Sequence, residues 1–270
     1  MSTPNGKGNK FADLALKSPI AKLTLHWRLH PEKDEAWYTR ECARRTPQEV
    51  AQELDISYER STRGRVFQEE WDELKANNRL TDVPYDPIEP VQTSWDFGIG
   101  GATAIGFYQL TRGGAIRMID YYENTGFAID HYIKVVQGKP YHYSVHWGDM
   151  TIKRKELGTG RSVWEILKKN GITIRGRVIK DKDNAINAAK MMMRKMAVDK
   201  KLTQFIDAAE NYHYAWDEEK QVFADAPTHD WSSHGCDQLT YISLNWREVQ
   251  EEQPMVRKDP EKYRFSATTY

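Results

Sequence analysis

From residue 93 onward, short β-patterned runs and helical patterns follow one another in an order that leaves few folds open. We predict strands where β-branched and aromatic residues cluster between turn formers, and helices where apolar residues recur every three or four positions. The predicted strands cover residues 93–96, 103–110, 115–122, 144–147 and 172–179, and the predicted helices cover residues 127–136, 162–169 and 183–196. The order β-β-β-α-β-α-β-α, followed by a further helix near residue 237, predicts an α/β mixed sheet flanked by helices.

The part of the chain before this pattern is mainly helical. Helical stretches are predicted at residues 34–45 and 47–54. Three prolines follow within residues 84–90, and proline both lacks a backbone donor and restrains the preceding residue to extended geometry. We therefore divide the chain into a helical N-terminal part (1–70), a Pro-rich linker (71–92), the α/β domain (93–250) and a polar C-terminal tail (251–270).

The charges of the chain cancel, with 39 basic and 39 acidic residues, so the whole molecule is not a nonspecific polycation. Any surface for nucleic acid must be local, with basic groups gathered on one face. No apolar run approaches the roughly 18 residues that would span a bilayer, and the N-terminus MSTPNGKGNK has no signal-like apolar region. The two cysteines lack a CxxC spacing and fit reduced thiols. We expect a soluble intracellular protein with no membrane partner.

Three acidic residues stand in three different kinds of segment within the α/β pattern. Asp96 closes the first predicted strand, Asp149 ends the run YHYSVHWGDM, and Asp237 lies in HDWSSHGCDQLTYISLNW, which has a helical pattern. A single strand-end aspartate is more often a turn former. Carboxylates from two strand ends and a late helix, however, are what an RNase H-like nuclease uses to hold Mg²⁺ or Mn²⁺. Together the three predict an RNase H-like mixed sheet and phosphodiester cleavage.

The segment around Asp237 contains two more candidates. In a helix, Asp230, His234 and Asp237 would be spaced i, i+4, i+7 and share one face. His234 could then ligate a second metal ion, orient Asp237 or shuttle a proton. The alternative is that Asp230 caps the helix and His234 bonds a backbone group. Asp120 and Glu123, near the end of another predicted strand, are expected to be solvated.

Basic residues flank a glycine-containing loop just after Asp149. They are Lys153, Arg154, Lys155 and Arg161. Glycines let the main chain approach a phosphate closely and basic side chains neutralise it, which predicts DNA contacts here. The alternative is a solvated charge run, and a second basic stretch at residues 175–182 has a weaker claim. Nothing in either stretch predicts base-edge readout, so we expect little sequence specificity.

Laid out this way, the sequence resembles phage terminase large subunits, the motors and nucleases of viral DNA packaging. The N-terminal matches lie at residues 2–6, 25–27, 37–38, 50–55 and 64–67. The matches in the α/β domain lie at residues 96–98, 120–123, 156–160 and 229–237. The last of these, HDWSSHGCD, is the most specific.

The resemblance implies an endonuclease that cuts double-stranded DNA during packaging. It places metal ligands at Asp96, Asp149 and Asp237, with His234 as a further catalytic candidate. Two divalent ions, Mg²⁺ or Mn²⁺, would lie about 3.5–4 Å apart, with Asp96 bridging both. It also implies the small terminase subunit and the portal or prohead as partners, in the host cytoplasm of a phage or prophage.

One departure concerns the motor. The chain begins at the segment that couples ATP hydrolysis to movement, and it lacks a G-x-x-x-x-G-K-[ST] loop. We therefore expect residues 1–70 to be a remnant of the packaging ATPase domain, with no ATPase activity from this chain alone. Two alternatives stay open: another RNase H-like nuclease, such as a resolvase or transposase core, or an idle DNA-binding or assembly remnant of a prophage terminase.

Overall fold

The computed structural model describes residues 3–4, 10–45, 49–57, 64–98, 101–111, 113–155, 160–217 and 222–245. Several expectations fall wholly or partly outside these ranges. They are most of the match at residues 2–6, the start of the helix predicted from residue 47, most of the match at 156–160, and the tail 251–270.

A seven-stranded sheet organises residues 80–199, and a separate two-stranded sheet follows it. The strand order of the large sheet is β1-β7-β4-β3-β2-β5-β6. The strands are β1 Leu80–Thr81, β2 Val91–Asp96, β3 Ala102–Leu110, β4 Ile116–Thr125, β5 Tyr143–Gly148, β6 Ile174–Arg175, β7 Met196–Asp199, β8 Tyr214–Asp217 and β9 Val222–Pro227.

Strand direction decides which residues meet. The strand β3 pairs antiparallel with both β2 and β4, while the pairs β2–β5, β5–β6, β4–β7 and β1–β7 are parallel. Every strand of the large sheet except β3 therefore ends at the same edge. We call this the carboxyl edge, and loops that follow the parallel strands lie along it.

Helices cover both faces of the sheet, and each face has its own buried core. One core contains Tyr108, Met118 and Leu239, and the other contains Trp95, Ile105 and Phe107. The buried side chains of β2, β3 and β4 point alternately into these two cores, as expected of strands that are covered on both faces. The helices are α1 Lys10–Leu16, α2 Glu35–Cys42, α3 Gln68–Ala76, α4 Ile129–Gln137, α5 Val163–Lys169, α6 Lys182–Met193, α7 Thr203–Asn211 and α8 Ser233–Ser243.

The helix α8 packs directly on β2 and β3 because small residues let it come close. A Cβ atom on Gly106 of β3 would lie 2.4 Å from the side-chain oxygen of Gln238. The Tyr108 hydroxyl donates a hydrogen bond of 2.9 Å to the same oxygen, and the Ser94 hydroxyl donates to the Gln238 carbonyl. The position of α8 over the sheet is thus fixed by contacts that leave no room for larger side chains.

The N-terminal part is mainly helical, as predicted. The helix α2 begins after Asp34, whose side chain accepts a hydrogen bond of 2.7 Å from the Trp37 amide. Residues Val50–Leu54 form a short π-helix instead of the predicted α-helix. No helix among the described residues is long and apolar enough to cross a membrane.

The predicted linker at residues 71–92 contains more regular structure than its prolines suggest. Its first residues belong to α3, where Trp71 and Leu74 are buried, and β1 pairs with β7 at the sheet edge. The prolines lie in the later half, which leads into β2. Residues 71–76 are helical because α3 buries apolar side chains, whereas the linker prediction rested on the prolines of residues 84–90 alone.

Two predicted elements, one strand and one helix, are shorter in the structure than the sequence indicated. The strand predicted at 172–179 is only β6, because Gly176 adopts a φ of +137° that ends the strand geometry. The helix predicted at 183–196 ends at Met193, and the missed strand β7 begins three residues later. Three of the four methionines in that segment are fully buried, which agrees with their predicted role as core residues.

Candidate functional site

The three predicted acidic residues meet at the carboxyl edge. Asp96 is the last residue of β2, and Asp149 directly follows β5, which pairs with β2 through Trp95 and Gly148. Asp237 lies on α8 above β2. Tyr241 lies one turn later on α8. Burial raises the pKa of Tyr241, and the negative charges of Asp96, Asp149 and Asp237 raise it further.

Asp96 is paired with His234. The Nδ1 atom of His234 lies 3.0 Å from Oδ2 of Asp96, and their side chains are 12% and 16% exposed. Burial raises the pKa of Asp96, and the charge of Asp237 raises it further, while His234 acts in the opposite direction. The hydrogen bond to Asp96 raises the pKa of His234 despite partial burial. The imidazole therefore compensates a carboxylate that burial would otherwise neutralise.

Asp237 is paired with Lys182, the first residue of α6. The Lys182 Nζ atom lies 2.5 Å from Oδ1 of Asp237, and the Tyr212 hydroxyl donates to the same oxygen over 3.2 Å. The Asp237 side chain is only 14% exposed. Two donors, one of them charged, thus hold this carboxylate.

Asp149 caps the short 3₁₀ helix Met150–Lys153. Its carboxylate accepts hydrogen bonds from the Thr151 amide over 2.9 Å and the Thr151 hydroxyl over 2.8 Å. The loop after β6 passes close to this strand end, because a Cβ atom on Gly176 would lie 2.6 Å from the carbonyl oxygen of Gly148. Asp149 therefore does form a turn, as the alternative for a strand-end aspartate proposed. The same turn holds its carboxylate at the edge of the sheet.

The donor set suits a hard divalent cation, since it offers carboxylate oxygens and one imidazole nitrogen. Within the part of the chain that the structure describes, no three His, Cys, Asp or Glu side chains are arranged to hold a metal ion as they stand. Each of the three carboxylates is instead engaged with a neighbour in the chain. The residues fit Mg²⁺ or Mn²⁺ by chemistry.

Asp230 does not share the helical face that its spacing suggested. The helix α8 begins at Ser233, and Asp230 precedes it with its carboxylate accepting from the Ser232 amide at 2.8 Å and the Ser232 hydroxyl at 2.6 Å. The predicted helix cap by Asp230 is not observed, because Ser232 is the N-cap residue and Asp230 forms a turn before it. The ring nitrogen of His234 contacts Asp96 and not a backbone group.

Glu123 was expected to be solvated, and this is wrong. In the sheet register, Asp96 lies opposite Ala104 and Ala104 lies opposite Glu123, so both acidic side chains share one face and one row. Burial raises the pKa of Glu123; the charge of His234 lowers it and that of Asp96 raises it. The Tyr121 hydroxyl donates to its carboxylate. Glu123 thus borders the site, which only the strand register reveals.

Asp120 was also expected to be solvated, and it is half-buried instead. Its carboxylate accepts from the Lys139 ammonium group at 2.5 Å and the Tyr141 hydroxyl at 3.0 Å, against the core that contains Phe107. The face of the sheet opposite α8 therefore holds Asp120. It takes no part in the cluster around Asp96.

The predicted DNA-contacting residues all have exposed side chains, and they lie beyond Asp149 along the carboxyl edge. They are Lys153, Arg154, Lys155 and Arg161. The second basic stretch, which had the weaker claim, connects β6 to α6. It contains exposed Arg175, Arg177 and Lys180 and ends at Lys182, which contacts Asp237. The structure therefore brings the second stretch closer to the acidic cluster than the sequence indicated.

No protein-family model matches the sequence, and no curated protein matches it. Solved structures do match its fold. The large terminase of a thermophilic bacteriophage matches with a TM-score of 0.52 at 13% identity, over 90% of this chain and 61% of that one. The nuclease domain of the P22 large terminase matches with a TM-score of 0.51 at 13% identity, over 68% of this chain and 93% of that one.

The chain has the fold of a phage large terminase. The predicted RNase H-like mixed sheet with helical flanks is confirmed by the match to the P22 nuclease domain. The chain spans 61% of the length of the thermophilic-phage large terminase. That match extends over 90% of this chain, whereas the P22 match extends over 68% of it.

Proposed function

We propose that this chain is a metal-dependent endonuclease that cuts double-stranded DNA with little sequence specificity, as the nuclease of a phage large terminase. The observation that carries the proposal is the convergence of Asp96, Asp149 and Asp237 at the carboxyl edge, because β5 pairs with β2 there and α8 packs on both strands. The terminase nuclease fold supports it, since the acidic residues stand on the sheet and helix of that fold.

Two Mg²⁺ or Mn²⁺ ions are the cofactors that fit this donor set. Asp96 would be the central ligand, because its strand β2 pairs with the strand that precedes Asp149 and packs against the helix that bears Asp237. Asp149 and Asp237 would each serve one ion. Bound there, the metal would activate water and stabilise charge on the phosphoryl oxygens.

His234 supports Asp96 in this proposal. Its Nδ1 atom fixes the orientation of the Asp96 carboxylate, and its Nε2 atom lies 3.3 Å from where a Cβ atom on Gly101 would stand. Because Nδ1 is engaged with Asp96, Nε2 is the ring nitrogen that can accept or release a proton at the edge of the site. Of the three roles that the sequence left open, orientation of Asp237 has no supporting contact; ligation and proton transfer remain consistent with this position.

The DNA backbone would run along the carboxyl edge past Asp149. Two segments with exposed basic residues leave the sheet at this edge, one after β5 and one after β6. The first contains Lys153, Arg154, Lys155 and Arg161, and the second is the 175–182 stretch. These exposed cations suit phosphate contacts, and they offer positioning without base readout. Cleavage with little sequence preference follows from this arrangement.

The remaining proposals come from the large-terminase fold. Residues 1–70 are the end of a packaging ATPase domain, which the longer match to the thermophilic-phage protein supports, and residues 93–250 are the nuclease. The partners are double-stranded DNA, the small terminase subunit and the portal or prohead, in the host cytoplasm. We propose no ATP hydrolysis by these 270 residues, because they contain no G-x-x-x-x-G-K-[ST] loop.

Supercoiled plasmid tests this function. With Mn²⁺ the purified chain should nick and linearise the plasmid, and EDTA should stop the reaction. Asp96→Asn should abolish cleavage because it removes the central carboxylate.

Asp120→Asn is the matched control. It changes an acidic residue of β4 whose contacts lie on the opposite face, so it should retain cleavage per folded molecule. Cleavage by Asp96→Asn at the wild-type rate would remove Asp96 from the mechanism. Absence of cleavage by the wild-type chain with Mn²⁺ would instead favour the idle-remnant alternative.

A further inference from the structure

Lys182 forms an ion pair with Asp237. The ammonium group lies 2.5 Å from the carboxylate oxygen, and the Lys182 side chain is 39% exposed whereas that of Asp237 is 14% exposed. The contact joins the start of α6 to the middle of α8, 55 residues apart in sequence. It is therefore a tertiary contact and not a local helix pairing.

An ammonium group at this distance takes the place of a cation at that oxygen. It satisfies the negative charge of Asp237 and uses the lone pairs that would otherwise face a metal ion. The charge of Lys182 also lowers the pKa of Asp96, so its influence extends to the central carboxylate. A divalent ion at Asp237 must therefore compete with Lys182.

Lys182 also has a second anion within its reach in the proposed complex. It ends the basic stretch of residues 175–182, whose exposed cations face the path proposed for the DNA backbone. A lysine carries a compact charge on a flexible four-carbon stem, so it can turn from one anion to another without movement of the helix. A phosphate on this path offers such an anion.

We propose that Lys182 couples DNA binding to metal binding, pairing with Asp237 in the free protein and with a DNA phosphate in the complex. This rests on the proposed nuclease function and assigns Lys182 as a positioning residue. DNA that draws Lys182 away frees Asp237, so metal binds more tightly when DNA is present. By thermodynamic reciprocity, metal also strengthens DNA binding by the same factor.

Calorimetric titration of Mn²⁺ into the DNA-free chain measures this coupling directly. Lys182→Met keeps the length of the side chain and removes its charge, so it should tighten Mn²⁺ binding by about 5- to 150-fold, the usual range of a coupling between sites. Lys169→Met is the control, since Lys169 is an exposed lysine at the end of α5, outside both basic stretches, and should leave Mn²⁺ affinity unchanged. Lys182→Arg keeps the charge and should stay near wild type.

A second titration adds a cleavage-resistant phosphorothioate duplex. The duplex should tighten Mn²⁺ binding to the wild-type chain, and this gain should shrink in Lys182→Met because the competitor is already gone. Circular dichroism and melting curves check that each variant folds. Lys182→Gln, which keeps a polar donor, replaces Lys182→Met if the latter unfolds.

The outcomes separate the two proposals. If wild type and Lys182→Met bind Mn²⁺ with equal affinity, or Lys182→Met binds it more weakly, the coupling is overturned and the nuclease proposal stands. If neither binds Mn²⁺, with or without DNA, the metal site and the coupling fall together. Tighter binding by Lys182→Met alone among the three charge variants supports the coupling.

Discussion

At the scale of single residues, each of the three carboxylates is balanced by one neighbour in the chain. Asp96 has His234, Asp237 has Lys182, and Asp149 has the amide and hydroxyl of Thr151. Clustered carboxylates repel one another and are costly to bury, so such partners stabilise the folded chain without metal. The same contacts orient the carboxylates for a cation that replaces part of them.

His234 should matter to cleavage more than to folding. His234→Ala should reduce plasmid cleavage by about 10- to 100-fold, the usual loss when a residue that supports metal ligands is removed. Its melting temperature should stay close to wild type, because the partly exposed site can admit water to Asp96. Paired melting curves and plasmid assays measure both quantities.

The control for this variant is His229→Ala. The two rings lie 5.3 Å apart, but His229 bonds Ser233 and does not contact Asp96. It should keep its activity. A His234→Ala protein that is destabilised yet fully active per folded molecule would contradict the functional role.

His146 predicts how stability depends on pH. It is buried beside β2, with Nδ1 2.7 Å from the Thr93 hydroxyl, and burial lowers the pKa of His146 from 6.5 to about 4. Its contribution is fully present above pH 6.5. It is lost as pH falls towards 4, because the unfolded chain takes up a proton that the folded chain refuses.

Between pH 6.5 and 4, the free energy of unfolding should fall by up to about 1.4 kcal/mol per pH unit through His146. Urea unfolding at pH 7 and pH 5 measures it. His146→Gln does not titrate, so its free energy of unfolding should fall less between the two pH values. Equal pH dependence in the two proteins would mean that His146 titrates normally in the folded chain.

At the scale of elements, the site exists because strand ends and one helix meet. The parallel strands β2 and β5 bring Asp96 and Asp149 to one edge, and α8 brings His234 and Asp237 over it. Loops then complete the arrangement. The loop from β6 to α6 passes against Gly148 at Gly176 and continues to Lys182.

Gly176 should be required for this loop path. Gly176→Ala adds a Cβ atom 2.6 Å from the Gly148 carbonyl oxygen at a φ of +137°, so backbone must shift next to Asp149. We expect a loss of about 1–3 kcal/mol in the free energy of unfolding, as for other strained backbone positions. Cleavage per folded molecule should also fall, as plasmid assays can measure.

Gly171→Ala separates the two causes. Gly171 has a φ of +82° but open space around its Cβ position, so that variant carries backbone strain without a clash. It should lose stability but keep its activity per folded molecule. If Gly176→Ala behaves the same way, the loop path does not position Asp149.

At the scale of the whole molecule, charge is balanced overall but unevenly placed. The net charge is zero, yet exposed basic residues gather in the two segments that follow β5 and β6 at the carboxyl edge. A local patch of this kind supplies phosphate contacts without general affinity for polyanions. Binding to DNA should therefore depend on salt but not on sequence.

The salt dependence provides a quantitative prediction. Simultaneous replacement of Lys153, Arg154 and Lys155 by alanine should weaken binding of any duplex and reduce the slope of log K against log salt. The slope should fall by about 0.9 for each phosphate that is no longer neutralised. Fluorescence anisotropy with duplexes of different sequence measures both.

A variant with the same change of charge in another part of the chain serves for comparison. Replacement of Arg28, Arg40 and Arg44 by alanine removes three exposed cations from the N-terminal part. Its salt slope should match wild type. Equal slopes in all three proteins would exclude the 153–155 segment from the DNA path.

The sequence by itself determined the elements whose signals are local. Clusters of β-branched and aromatic residues predicted β2 and β3, and alternating apolar residues predicted β4. The three-to-four spacing predicted α4, α5 and the helix that bears Asp237. A residue at the end of a predicted strand lies at a sheet edge by geometry alone. That Asp96 and Asp149 share the same edge depends in addition on the parallel pairing of β2 with β5, which the structure shows.

Only the tertiary structure decided which side chains face one another. The row that joins Asp96 to Glu123 depends on the register of three strands, and the contact of Lys182 with Asp237 depends on how α6 packs beside α8. The short strands β1 and β7 form because each supplies the other with hydrogen-bond partners, and neither is long enough to show a period. Register and helix packing are set by contacts between distant residues, and a local pattern contains no information about them.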